Sequence, residues 1–132
     1  MNEKIKQIIE EFKLFTDWEN KYSYIIELGK NLQELDVSQK TDVNKVDGCV
    51  SQVWLIAEKK NNRYYFYADS DAFIVRGLLA IIIRIFSGLT KEEILNVKFK
   101  ELFDTLDFKN HLSPSRSNGL FAVVQRIQSF AL

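Results

Sequence analysis

Apolar residues recur at intervals of three and four along several stretches of the chain, a spacing that places them on one face of a helix. The positions concerned are Ile5, Ile8, Ile9 and Phe12 in a first stretch, Trp18, Tyr22, Ile25 and Leu28 in a second, and Leu120, Val123, Val124 and Ile127 in the last. Thr16 or Asp17 is the predicted N-cap of the second helix. Gly29 interrupts its apolar face, which indicates either a close contact with another helix or a weakening of this one.

A period-two alternation replaces the helical spacing in the middle of the chain. Residues 50–58 alternate with apolar side chains on both faces, which predicts a strand that is covered on both sides. Asn61 and Asn62 tolerate positive φ and predict a hairpin turn. The aromatic run that follows, residues 63–68, predicts the returning strand. A short strand over residues 43–47, at the end of a polar loop, would complete a three-stranded antiparallel sheet.

The most apolar stretch, residues 72–86, predicts a buried helix. It spans 15 residues and contains Arg76 and Arg84, so it is too short and too charged to cross a bilayer. Its apolar residues lie all round the helix, which is typical of a helix that packs against a sheet and other helices at once. Ser70 or Asp71 is the predicted cap at its beginning.

Glycine and capping patterns divide the C-terminal part of the chain into shorter helices. Gly88 is the predicted end of the buried helix, and Thr90 and Glu93 form the capping-box pattern of a short helix. A further short helix is predicted over residues 99–106, and the last helix follows the segment 113–119. These elements predict an α+β fold, with helices packed around a small antiparallel sheet of about three strands.

The composition supports one folding unit and excludes several classes of protein. The 132 residues are 46% hydrophobic, enough for a single domain over residues 1–132 with its own core. Eighteen basic and eighteen acidic residues cancel, so no global field attracts nucleic acid or an anionic membrane. A single cysteine cannot form an internal disulfide, which favours a reducing compartment. Because the N-terminus lacks the apolar core of a signal peptide, we expect a soluble, cytoplasmic protein.

Cys49 is the only cysteine and the first candidate for chemistry. It follows Gly48 and directly precedes the alternating apolar run, which places its thiol on a turn at the lip of a strand. A free thiol ionises with a pKa of about 8.5, so a reactive cysteine needs a nearby cation, a helix N-terminus or a field that a partner supplies. Lys45 and Arg116 are the candidate cations. The alternative is that Cys49 is a small core residue without chemistry.

The polar segment from His111 to Gly119 precedes the last helix. Pro114, Arg116 and the serines of this segment are typical of an N-cap with a rigid approach. The alternative is a functional edge, at which the arginine and the helix N-terminus bind an anion or stabilise a thiolate.

Patterns that hold metals or cofactors are missing from the sequence. Asp69, Ser70 and Asp71 resemble part of a calcium loop, but the other oxygen ligands of that motif are absent, so a helix cap is the favoured interpretation. His111 is the only histidine, and one cysteine with one histidine is too few ligands for a zinc or iron–sulfur site. There is also no glycine-rich nucleotide-binding pattern. We therefore expect no bound metal or cofactor.

Four segments together resemble the SufE family of sulfur acceptors, which includes the CsdE branch. They occur in the family's order and spacing and cover nearly the whole chain from about residue 22. The segments are YIIELG at 24–29, VDGCVSQVW at 46–54, DSDAFIVRGL at 69–78 and HLSPSRSNGL at 111–120. The chain departs from the family's pattern in two places. Val50 stands where the family more often has glutamine or alanine, and residues 32–37 stand where the family often has a proline-containing stretch.

The resemblance implies a fold like those of SufE and IscU and a function in sulfur transfer. A SufE-like protein accepts sulfane sulfur from the persulfide of a cysteine desulfurase, stimulates that enzyme, and passes the sulfur to an iron–sulfur assembly scaffold. Carried onto this chain, Cys49 is the acceptor, and its thiolate attacks the outer sulfur of the donor persulfide.

Supporting residues are implied by the same motifs. Gly48, Ser51 and Gln52 flank the acceptor cysteine, while Arg116 and Asp71 line the docking surface or the cysteine loop. A further hypothesis is that an apolar cavity shelters the persulfide and that a loop movement releases it for transfer.

The resemblance also implies the partners. They are a cysteine desulfurase of the SufS or CsdA type, which holds the pyridoxal phosphate, and a scaffold complex of the SufBCD type. We expect no nucleic acid or membrane partner and no turnover by the chain alone. The chain is expected to be a monomer or a homodimer.

Alternatives to the sulfur carrier for iron–sulfur assembly stay open at this point. One is CsdE-type delivery to another sulfur acceptor. Another is a non-covalent adaptor that activates a desulfurase and uses Cys49 only for packing. A third is a scaffold on which clusters form, against which the shortage of ligands argues.

Overall fold

Six α-helices surround a three-stranded sheet in the computed structural model, which describes residues 3–132. The elements are α1 (Glu3–Lys13), α2 (Trp18–Lys30), β1 (Val53–Lys60), β2 (Arg63–Ser70), α3 (Phe73–Phe86), β3 (Leu89–Thr90), α4 (Lys91–Asn96), α5 (Phe99–Thr105) and α6 (Pro114–Ser129), with 3₁₀ turns at Val37–Gln39 and Phe108–Asn110. Met1 and Asn2, which the single-domain prediction includes, lie outside the described residues. The predicted α+β class is confirmed.

The hairpin of β1 and β2 forms where the sequence predicts it. The strands pair antiparallel from Val53 opposite Ser70 to Lys60 opposite Arg63. Asn61 and Asn62 at the turn have φ of 51° and 66°, the conformation that a two-residue hairpin loop requires and that asparagine tolerates.

The third strand differs from the prediction, since β3 pairs with the start of β2 and residues 43–47 form no strand. Those residues make an isolated bridge at the opposite edge of the sheet, between Lys45 and Trp54. The Arg126 guanidinium of α6 binds the carbonyl of Val43 at 2.8 Å and that of Lys45 at 3.3 Å. The segment still bonds to β1 through the Asn44 carbonyl and the Val46 N–H, at 2.8 Å each, so Arg126 holds its outer side and the contact with β1 is limited to this bridge.

Strand β1 is shorter and less covered than predicted. It begins at Val53, and residues 50–52 belong to the preceding loop. Val53 and Leu55 are each 1% exposed, whereas Trp54 and Ile56 on the other face are only half-buried. One face of the strand thus packs on the core, and the other is partly open.

Helix α3 is the buried helix that the apolar run predicts. Eight of its 14 residues are buried, and Gly88 with φ of 85° follows its last turn, as expected. Its N-cap is Ala72, not Ser70 or Asp71. The Ser70 hydroxyl accepts from the Ala72 N–H, just before the helix, and the Asp71 carboxylate accepts from the Gln52 N–H. Across residues 3–132, helices are all too short or too polar to cross a membrane.

Helices α2 and α3 approach so closely that glycine is required on both. A Cβ on Gly29 would lie 2.6 Å from the backbone nitrogen of Gly77, and a Cβ on Gly77 would overlap the carbonyl oxygen of Ile25. Of the two interpretations of Gly29, the close helix contact is correct. Asp17 is the N-cap of α2, since its carboxylate accepts a bond of 2.8 Å from the Asn20 N–H.

The last helix begins earlier than predicted. Pro114 is its first residue, and the hydroxyl of Ser113 accepts a bond of 3.2 Å from the Arg116 N–H. The polar segment is therefore an N-cap, as one interpretation has it, but its residues up to Gly119 already lie in the helix. Gly119 therefore lies within α6, where it contacts Cys49.

Candidate functional site

A glycine turn brings Cys49 against α6. Gly48 has φ of 90°, a left-handed conformation that favours glycine. A Cβ at this position would lie 3.4 Å from the Cβ of Ala122 on α6. The turn therefore depends on glycine for its backbone angle, while the distance to α6 is an ordinary van der Waals contact.

Cys49 packs on the one glycine in α6. Its thiol donates a long bond of 3.6 Å to the carbonyl oxygen of Gly119, and a Cβ on Gly119 would lie 3.5 Å from the Cys49 Sγ. Cys49 is half-buried. The absent side chain of Gly119 leaves room for the thiol beside the helix backbone.

The thiol opens onto a cavity of about 160 Å³ between the cysteine loop, α3 and α6. Its apolar lining consists of Val50, Val53, Val75, Leu78, Leu79, Leu120 and Val123, and its polar lining of Ser51, Ser113, Ser115 and Arg116. One water-sized site needs roughly 10–15 Å³, so the cavity has room for an additional sulfur atom on Cys49.

The surroundings of Cys49 favour the protonated form of its thiol. Burial raises the pKa of the Cys49 thiol, and the carboxylate of Asp47 raises this pKa further. Of the two candidate cations, Arg116 lines the cavity and Lys45 does not. Sequence reasoning considered cations only and missed Asp47, although its position two residues before the cysteine was a visible signal.

Asp71 acts on the loop that carries Cys49. Its carboxylate accepts a hydrogen bond of 3.1 Å from the backbone N–H of Gln52, and Asp71 does not line the Cys49 cavity. Among the predicted site residues, the structure thus brings Cys49, Ser51 and Arg116 to one cavity. Gly48, Gln52 and Asp71 shape the loop beside it.

A buried carboxylate near this loop went unrecognised in the sequence. Asp69 is 1% exposed and pairs with Arg76 and, at 3.4 Å, with Lys40. Burial acts to raise the pKa of Asp69, but bonds of 3.1 and 2.8 Å from the N–H groups of Leu35 and Ser70, together with both cations, lower the pKa overall.

The Asp69 cluster is structural. Arg76 also donates to the carbonyls of Leu32 at 2.7 Å and Gly29 at 3.3 Å, so the cluster fixes the end of α2 against α3. The part of the chain that the structure describes contains no group of three or more histidine, cysteine, aspartate or glutamate side chains that could hold a metal ion. The fragment of a calcium loop is therefore an ion-pair anchor rather than the predicted helix cap.

Known proteins resemble this chain in sequence and in fold. Two uncharacterized SufE-like proteins align over 131 residues: that of Rhizobium meliloti (strain 1021) is 43% identical, covering 96% of this chain and 94% of that protein. That of Rhizobium etli is 44% identical, covering 96% and 88%. The solution structure of a hypothetical protein from Thermus thermophilus shares the fold, with a TM-score of 0.78 at 19% identity, covering 97% of this chain and 93% of that one.

A family match covers almost the whole chain. Residues 6–131 match SufE, described as an Fe-S metabolism associated domain. The matched region contains Cys49 and every residue that lines its cavity. The chain therefore belongs to the SufE family, whose role is in sulfur and iron–sulfur metabolism.

Proposed function

We propose that this chain accepts sulfane sulfur on Cys49 from the persulfide of a cysteine desulfurase and carries it toward iron–sulfur cluster assembly. The observation that supports this proposal best is the location of the only cysteine, at an apolar cavity with unused volume, in a chain of the SufE family. A packing cysteine has no need of such a space beside its sulfur.

The proposed transfer is a thiol–disulfide type of exchange. The Cys49 thiolate attacks the outer sulfur of the donor persulfide, and a new S–S bond forms on Cys49. The S–S bond of the donor breaks, its cysteine leaves as a thiolate, and the proton on the transferred sulfur stays with it. Sulfur changes carrier without a net oxidation or reduction, so one cysteine on each protein is enough.

The partner has to help ionise the thiol. Burial and Asp47 both disfavour the thiolate of Cys49 in the free chain, so the isolated protein reacts slowly. A partner that covers the loop can bring a cation near Asp47 or draw Cys49 away from the Gly119 carbonyl. We propose Arg116, which lines the cavity, as a residue that then faces the thiolate or the partner.

Release of Cys49 from its cavity is the second requirement of the proposal. In-line attack needs the Cys49 Sγ to meet a sulfur that another protein presents, and the half-buried thiol faces the cavity between the cysteine loop, α3 and α6. We propose that residues 49–52 move outward during transfer and return the persulfide to the cavity afterwards. The single bond between Asp71 and the Gln52 N–H is the contact that restrains this movement.

The partners and the location belong to the same proposal. The donor is a desulfurase of the SufS or CsdA type, which brings the pyridoxal phosphate, and the acceptor is a scaffold complex of the SufBCD type in the cytoplasm. Delivery to another sulfur acceptor, as in the CsdE branch, is the alternative destination.

One observation favours a non-covalent adaptor as the second candidate. Cys49 is half-buried, its pKa is raised, and its thiol bonds to a backbone carbonyl, which are properties of an inert cysteine. An adaptor would activate the desulfurase without taking sulfur, and Cys49→Ser would then still activate it.

Intact-mass spectrometry after incubation with desulfurase, pyridoxal phosphate and L-cysteine tests the proposal. The carrier gains one sulfur atom that a reductant removes, and Cys49→Ser gains none and activates no desulfurase. If an active cognate desulfurase adds no sulfur to Cys49 while still being activated, the chain is an adaptor.

A further inference from the structure

A second hollow lies beside the Cys49 cavity. It has a volume of about 400 Å³ and shares Ser113 and Arg116 with the lining of the cavity. Ile26 of α2, Ile74 of α3 and Leu112 form its apolar part. A larger hollow, of about 570 Å³, lies over the sheet and shares no residue with the Cys49 cavity. The smaller hollow is therefore of interest for its position beside the thiol and not for its size.

One wall of the hollow is held in place before any partner binds. The ring of His111 stacks on Trp18 with 4.0 Å between the centroids and 13° between the planes. The hydroxyl of Tyr22 donates a hydrogen bond to the His111 carbonyl. Side chains that are already fixed lose little conformational freedom on binding, so such a wall favours recognition of a partner.

Arg116 forms the border between the hollow and the cavity. Its guanidinium makes no hydrogen bond or ion pair with any other side chain or carbonyl among residues 3–132. A guanidinium carries five N–H donors, and carbonyl oxygens of a crossing peptide segment are suitable acceptors. A segment that runs from the hollow to Cys49 passes this free cation.

The short distance between the hollow and Cys49 limits which part of the sulfur donor can occupy the hollow during transfer. The two sulfur atoms must touch, and Cys49 moves outward only as far as the short loop 49–52 allows, so residues next to the donor cysteine lie near the mouth of the Cys49 cavity. An extended chain advances about 3.3–3.6 Å per residue, and the hollow borders the cavity directly. A residue one or two positions from the donor cysteine therefore reaches it.

We propose that this hollow is the docking subsite for the loop that carries the persulfide cysteine of the sulfur donor. An apolar side chain adjacent to that cysteine packs on Ile26 and Ile74, and backbone carbonyls of the loop accept bonds from Arg116. The inference rests on the proposed function, because it takes a persulfide-bearing protein as the occupant.

The test compares Ile26→Gln with Ile56→Gln in the full chain. Both isoleucines are half-buried, and neither belongs to the core or to the residues packed against it, but Ile56 lines the hollow over the sheet. Binding of each variant to the cognate desulfurase is titrated, and sulfur transfer to Cys49 is followed by mass at increasing chain concentration. Loading of Cys49 by inorganic polysulfide measures the thiol without a protein donor.

We expect Ile26→Gln to weaken desulfurase binding and to raise the concentration for half-maximal transfer by about tenfold, the range of an important interface side chain. Its polysulfide loading and its transfer rate at saturation stay as in the wild type, and Ile56→Gln binds as the wild type does. Equal desulfurase binding by all three proteins overturns the inference. Where Ile26→Gln does not fold, the milder Ile26→Thr replaces it as the probe of the same hollow.

The two proposals fail in different ways. If the wild type binds desulfurase but gains no sulfur, the carrier function fails, and weaker binding of Ile26→Gln still locates the docking subsite. If the wild type gains sulfur and Ile26→Gln gains it at the same chain concentrations, the carrier function stands and the docking subsite is wrong.

Discussion

The Cys49 thiol lies 3.6 Å from the carbonyl oxygen of Gly119, and a Cβ on that glycine would lie 3.5 Å from the Cys49 Sγ. The distance is an ordinary van der Waals contact, so a methyl group fits without displacing the cysteine. The same methyl group would project into the cavity that Gly119 lines. Substitution of Gly119 by alanine is therefore expected to raise the stability of the protein and to reduce access to the thiol.

We expect Gly119→Ala to stabilise the protein and to slow its reaction. Alanine in a helix interior is more favourable than glycine by about 0.5–1 kcal/mol, which urea unfolding measures. The methyl group also fills space beside Sγ, so persulfide loading of Cys49 by polysulfide slows. Loading at the wild-type rate would mean that the added sulfur does not enter this cavity.

Asp47→Asn is expected to make Cys49 more reactive. The carboxylate of Asp47 raises the pKa of the thiol, after the larger effect of burial. Loss of this charge lowers the pKa, although burial keeps it above the ordinary value. The rate of alkylation by iodoacetamide, measured against pH, shifts to lower pH. Asp42→Asn, which removes another exposed acid from the same part of the chain, is the matched control and leaves the profile unchanged.

Asp69→Asn is expected to destabilise the fold by about 3 kcal/mol, because it leaves Arg76 and Lys40 without their buried counter-charge. The lowered pKa of Asp69 adds a pH dependence. Its contribution is fully present above the ordinary pKa of 3.8 and is lost as the pH falls through the lower value of the folded state. Urea unfolding of wild type and variant at falling pH measures both effects.

Asp71→Ala should separate loop restraint from stability. Asp71 is exposed and makes one hydrogen bond, to the Gln52 N–H, so the stability loss is about 1 kcal/mol. Release of the loop exposes Cys49 more often and raises its alkylation rate in the free protein. An unchanged alkylation rate would contradict the restraint that we assign to Asp71.

Gly77→Ala tests the contact between α2 and α3. Its Cβ would overlap the Ile25 carbonyl oxygen, and separating the two helices is expected to lower the unfolding free energy by about 3 kcal/mol. Gly88→Ala is the matched control, because its Cβ would lie 3.8 Å from the nearest side chain and only its φ of 85° is unfavourable. That strain amounts to about 1 kcal/mol, and equal losses for both variants would argue against the helix contact.

Tyr24 makes the fold sensitive to alkaline pH. Burial, and then its hydrogen bond to Glu11, raise the pKa of Tyr24 from 10.0 to about 12. Its contribution to stability is fully present below pH 10.0 and is lost as the pH rises through about 12. We expect thermal unfolding of Tyr24→Phe to depend less on pH over this interval than that of the wild type.

Much of the fold follows from local patterns in the sequence. The apolar periodicity predicts α1, α2, the buried α3 and the last helix, and the two asparagines predict the hairpin turn, because each depends on neighbours within a few residues. The third strand was misplaced because β3 forms by pairing Leu89 with Tyr64, two residues that are distant along the chain. The early start of α6 has a local cause, the Ser113 cap before Pro114. A serine followed by a proline is a recognisable helix start, so this boundary could have been predicted from the sequence.

Local sequence patterns are enough to identify one cysteine, on a glycine turn before a strand, as the candidate for chemistry, and to show that the segments around it resemble SufE. The packing of the whole core was needed to show that Arg116 and Ser51 share a cavity with Cys49, that Lys45 does not line it, and that Asp71 bonds the Gln52 N–H beside the cavity. The reason is physical. A turn or a helix face is encoded by adjacent residues, whereas the surroundings of a thiol are formed by three separate elements that meet only when the whole core packs.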